Sequence, residues 1–117
     1  MTNLTKKQIE RLQPFLLRKG AAQKVGLFLL GAGECTVPDL VKMTVPQIRA
    51  MCLPVEIGVY VDEMLDDRKT GPAFQYSSGT VKPYTYWHRL VRTAAEKAVG
   101  RPMSAQQFRA YITKKGP

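Results

Sequence analysis

The sequence predicts a single, mainly helical domain, and three observations carry that expectation. Helix-start signals recur along the chain, each a Ser or Thr followed three residues later by a side chain that can cap it in return. A short all-apolar segment, Val25 to Leu30, has the i, i+3, i+4 pattern of a buried helix. A long amphipathic stretch after Pro83 ends on Gly100, as helices commonly do. With 117 residues, the chain can bury roughly two thirds of its unfolded surface as one domain spanning residues 1–117.

The elements follow in order. Thr5 is a candidate N-cap with Gln8 as its capping-box partner, and Leu4 with Ile9 have the spacing of a hydrophobic staple. Ala21 to Leu30 reads as the core helix. An eight-residue pattern then occurs twice, Thr36-Val-Pro-Asp-Leu-Val-Lys-Met and Thr44-Val-Pro-Gln-Ile-Arg-Ala-Met, each a Thr cap with Pro in the first turn. Two copies are too few for a solenoid and predict two short helical turns. Val55 to Leu65 is a further helix, with Val55, Val59, Val61 and Leu65 apolar, and Thr70 to Val81, rich in Gly, Pro and Ser, is the main loop or hinge, with Phe74 to Tyr76 extended. Ser104 and Gln107, with Met103 and Phe108 as staple, open a last helix running to about Thr113.

Charge is unevenly placed. The net charge is +9; residues 1–24 carry six basic and one acidic side chain, residues 82–117 eight basic against Glu96, and residues 25–81 four basic against seven acidic. A fold that joined the two ends would have one strongly positive face, suited to a polyanion. The five acids Glu56, Asp62, Glu63, Asp66 and Asp67 make Val55 to Asp67 the segment least suited to a phosphate backbone. Cys35 and Cys52 have neither C-x-x-C spacing nor a metal-ligand relation to His88, so they read as reduced core thiols, and no metal or cofactor is expected. No signal-peptide pattern opens the chain and no apolar run reaches a bilayer span, so a cytoplasmic protein without membrane contact is expected.

The helix after Pro83 is the strongest functional candidate. Pro83 suits the first turn; Trp87, Leu90, Val91, Ala94 and Ala98 fall on one side, Thr85, His88, Arg89 and Arg92 on the other. Such a helix can lie in a major groove with Lys82, Tyr84 and Thr85 at its leading end. Arg101, Arg109, Lys114 and Lys115 add positive charge nearby, and the capped start of the last helix can receive a phosphate.

In these residues the chain resembles the catalytic domain of tyrosine recombinases, the phage-integrase family. Thr5 to Leu17 is similar to the family's opening helix. Lys24-Val-Gly-Leu-Phe-Leu-Leu-Gly-Ala-Gly with Val37 to Ile48 is similar to the segment around its first arginine, and Leu53 to Leu65 to the stretch after its small sheet. Thr85-Tyr-Trp-His-Arg-Leu resembles the helix before the H-x-x-R box, and Ser104-Ala-Gln-Gln-Phe-Arg occupies the box itself. The resemblance implies a recombinase-like fold with the small sheet reduced or absent. It also implies lost chemistry. The first arginine would fall at Cys35 or Thr36, Gln106 stands for the box histidine, and only Arg109 keeps a phosphate ligand. The lysine hairpin is shortened between Ile48 and Glu56, the chain ends at Pro117 before a matching nucleophile, and Tyr111 is too close to Arg109 to replace it.

The expectation is therefore a sequence-specific double-stranded DNA-binding protein, a transcriptional regulator or recombination accessory factor of a mobile element, that does not cleave its target. A homodimer on DNA or a recombinase would be its companion. The alternative is a protein-interaction module of the same fold, using the acidic Asp62 to Asp67 segment beside exposed apolar residues. Gly31 to Gly33 lacks the dinucleotide-binding spacing and reads as a turn. Met43, Met51 and Met64 read as core, and of Tyr84 and Tyr86 one should face inward and one outward.

Overall fold

The computed structural model describes residues 4–114. Seven helices follow one another among them: α1 (Lys6–Leu16), α2 (Ala21–Gly31), α3 (Val37–Lys42), α4 (Val45–Arg49), α5 (Val55–Leu65), α6 (Tyr84–Val99) and α7 (Ala105–Thr113). No strand forms among the described residues; pairing is confined to two isolated antiparallel bridges, Thr44 with Pro72 and Gln75 with Val81. No described helix is long and apolar enough to cross a membrane.

The capping signals operate as the sequence predicts. Thr5, Thr36, Thr44 and Ser104 each accept from the backbone N–H three residues on, and Gln8, Asp39, Gln47 and Gln107 accept in return from the cap's own N–H at 2.8–2.9 Å. Each box satisfies two amide donors that a helix start otherwise leaves open. At α2 the amide oxygen of Gln23 does half of this work, accepting from Gly20 N–H.

Helix α2 has no polar stripe beyond its first turn, and Val25 through Gly31 are all buried. It packs against α1, α5 and α7, which makes it the centre of the domain. Two glycines permit that density. A Cβ on Gly26 would enter the ring of Trp87, and one on Gly31 would press on Phe108 and Leu12 at 3.1–3.2 Å. Trp87, Leu90, Val91, Ala94 and Ala95 bury the inner face of α6, while Ala98 is partly covered. Gly100, at φ 80°, closes α6 in the left-handed region that glycine enters without strain.

The first and last helices meet. Gln8 donates its side-chain amide to Thr113 O at 2.9 Å, Arg11 donates to Ile112 O and Lys114 O, and Phe15 lies against Phe108 and Tyr111 with ring centroids 4.7 and 5.8 Å away. Arg11 therefore serves the last carbonyls of α7, as cations near helix C-termini do.

Two expectations need correction, and two others gain detail. Pro83 is the N-cap of α6 and not a first-turn residue: its backbone is extended at ψ 173°, and helical geometry begins at Tyr84. Cys35 is buried but Cys52, in the exposed turn after α4, is not a core thiol. Of the apolar residues named in α5, Val61 and Leu65 are buried, while Val55 and Val59 are 81% and 58% exposed on its outer side. The loop after α5 forms where the sequence predicts it, and side-chain contacts pin it to the body. Arg68 donates to Pro72 O at 2.6 Å and Ala73 O at 3.2 Å, and Phe74 is buried edge-on against Trp87 at 5.1 Å.

Candidate nucleic-acid interface

The buried stripe of α6 fixes what its opposite side displays. With Trp87, Leu90, Val91 and Ala94 inward, Tyr84, Thr85, His88, Arg89 and Arg92 are all exposed. Tyr84, His88 and Arg92 follow at i, i+4 and i+8, one row along the helix. The Tyr84 and His88 rings stack with centroids 5.8 Å apart and planes 22° from parallel. Arg92 lies 3.8 Å from Glu96, but both side chains are more than half exposed, so this pair is worth at most about 1 kcal/mol and leaves the guanidinium available to a phosphate.

Tyr84 and His88 of this row form one wall of a cleft of about 320 Å³. Tyr84 and His88 face the start of α3, at Cys35, Thr36 and Pro38, and the start of α7, at Ser104, Gln106 and Arg109. A shallower depression continues from His88 past Arg92 to Ser104 and Gln107. Arg109 is half-buried because its aliphatic stem lies over Gly33, where an added Cβ would meet Cδ at 3.1 Å. Gly33, at φ 77°, makes the turn after α2 and clears room for that stem, so the turn read from Gly31 to Gly33 has a positional task.

Two titratable groups at the cleft are shifted from their ordinary values. Burial pushes the Cys35 thiol up to about 11, with the carboxylates of Asp39 and Glu34 adding to the effect. It is a protonated thiol near neutral pH and a poor nucleophile. The Asp39 carboxyl is held below its usual range by the Thr36 backbone N–H first and then the Thr36 hydroxyl. It is therefore ionised and committed to the α3 cap. Tyr111, whose ring packs on Phe15, lies outside this cleft. Among the described residues no group of three or more His, Cys, Asp or Glu is arranged to hold a metal ion.

The other sequence-predicted residues divide. Arg101 and Lys114 line a separate depression that runs along α7, beside Met103 and Tyr111. Lys82 is not on the exposed row at all: its ammonium sits 4.6 Å from the Tyr76 ring centroid and 4.1 Å from that of Tyr86, on the other side of α6. Cation–π attraction to two rings, themselves edge-to-face at 5.7 Å, draws it there. Tyr86 is the inward tyrosine, its hydroxyl accepting from Gln23, and Tyr84 the outward one at 47% exposure. Lys115 lies outside the described residues. The part of the site not predicted as DNA-contacting is the floor formed by Cys35, Thr36, Ser104 and Gln106.

A compact helical domain with a cleft between three helix starts, lined by Arg109 and His88 among mostly neutral side chains, is thus what fold and site define. No protein-family model, no curated protein and no solved structure matches the chain.

Proposed function

We propose that this chain binds double-stranded DNA through α6 and the start of α7, without cleaving it. The observation that carries the reading is the exposed row of α6 beside Arg109: donors and positive charge on a rigid helix, with a half-buried arginine in the adjoining cleft. A rigid helix with several cations can set a register on phosphates and present Thr85 and Arg89 to base edges. The same cleft gathers Cys35, Thr36, Gln106 and Arg109, the positions that the tyrosine-recombinase resemblance assigns to a phosphate-clamping site. With a protonated thiol, a glutamine and one arginine there, the arrangement favours holding a phosphate over breaking its ester. A regulator of transcription, or an accessory factor for recombination of a mobile element, is the role that fits. The acids of α5 repel a phosphate backbone, so that helix serves protein contact instead.

Fluorescence anisotropy on duplex DNA at several salt concentrations tests the surface. Arg92→Ala and Arg109→Ala are each expected to weaken binding and to lower the slope of log K against log salt by about one; unchanged affinity in both would overturn the assignment. Site selection from random duplexes should return a defined motif. A covalent protein–DNA adduct or a nicked plasmid would overturn the non-cleaving reading.

A further inference from the structure

All four large aliphatic side chains that are exposed among the described residues belong to α1, its C-cap and α5: Ile9 at 41%, Leu17 at 69%, Val55 at 81% and Val59 at 58%. Between the two helices runs a groove of about 470 Å³, with Leu12, Leu16, Phe28 and Ile57 among the side chains lining it. Exposed valine and leucine beside an open apolar groove is costly in water and marks a contact surface.

Charge says what fits. The outer side of α5 carries Glu63 beside Val55 and Val59, Glu56 stands where that side meets the groove, and no basic residue lies anywhere between Val55 and Asp67. The groove is also lined by Arg18, exposed immediately after Leu17, and by Lys24, whose ammonium is held on Tyr60. Elsewhere a chain of net charge +9 repels its own copy, and the acidic α5 is where that repulsion reverses. A surface that holds an apolar ridge, an apolar groove, acids on the ridge and a cation on the groove wall is complementary to itself. That is the requirement of a two-fold contact, in which one patch serves both partners.

We propose that the chain forms a two-fold homodimer in which α5 of each copy lies in the α1–α5 groove of the other. Val55 and Val59 enter the groove and Glu56 and Glu63 face Arg18 across the axis. This groove shares no residue with the α6–α7 cleft, so the contact stands whether or not that cleft meets DNA.

Sedimentation equilibrium of the full chain without DNA, from micromolar to several hundred micromolar, is the test. A concentration-dependent dimer is expected for the wild type. Val59→Asp and Arg18→Glu should each raise its dissociation constant by about tenfold or more, with unchanged circular dichroism because both positions are exposed. Combining Arg18→Glu with Glu56→Arg and Glu63→Arg on one chain should restore association, which a merely structural effect would not. A wild type that stays monomeric throughout overturns the proposal, as does a dimer indifferent to both single variants.

Discussion

Helices α5 and α6 both lay an apolar stripe on the core, yet their outer sides are chemically opposite. The outer row of α6 shows aromatic rings, hydroxyl, imidazole and guanidinium groups, and its aliphatic residues are turned inward. The outer side of α5 shows two valines between carboxylates. The inner stripes determine where each helix sits; only the outer sides distinguish what each can meet. Two surfaces of opposite sign thus share one small domain.

Removing the support of α6 should have the largest effect on this contrast. Trp87 is fully buried between Gly26, Phe74 and Tyr86, and Trp87→Ala should cost about 3–5 kcal/mol in chemical denaturation. Next is the cap of α7. Ser104→Ala removes the acceptor for Gln107 N–H and should cost about 1 kcal/mol; because the start of α7 forms part of the cleft, it should also weaken the DNA binding proposed for it.

Thiol chemistry divides the molecule in a third way. Cys52 is exposed and should alkylate at neutral pH, while Cys35 should resist until the chain unfolds, as mass spectrometry of labelled protein can show. The raised Cys35 value also has a stability consequence. The folded state holds the thiol proton more tightly than the unfolded chain, so this contribution is fully present below pH 9.0 and fades as pH rises towards about 11. Thermal melts of wild type and Cys35→Ala should converge over that range. The smallest effect belongs to the outer side of α5. Val59→Ala should change monomer stability by less than about 0.5 kcal/mol, since the side chain is 58% exposed and alanine is the better helix former.

What the sequence made legible was local. Capping boxes are written within four residues, so the starts of α1, α3, α4 and α7 could be read from Thr5, Thr36, Thr44 and Ser104. The inner stripe of α6 followed from periodicity alone. What stayed hidden depended on distant approach. Lys82 has no local signal for leaving the row, because the rings that hold it belong to Tyr76 and Tyr86 in the loop and on the far side of α6. The exposure of Val55 and Val59 could not be read either, since α5 is apolar on more than one side and only its packing on α2 and α4 selects Ile57, Val61 and Leu65 for the core. The floor of the cleft joins α3 to α7 across some seventy residues of sequence, beyond the reach of spacing arguments.

Trp87 is the chain's one tryptophan. Held edge-on by Phe74 at 5.1 Å and by Tyr86 at 5.1 Å, with Gly26 beneath it, it makes the domain its own optical gauge. Indole emission from that dry setting should shift to the red when α6 lifts from α2, and should stay still when a ligand merely covers the outer row or a second copy docks on α5. A single fluorophore can therefore tell unseating of the helix from occupation of either surface, with no label added.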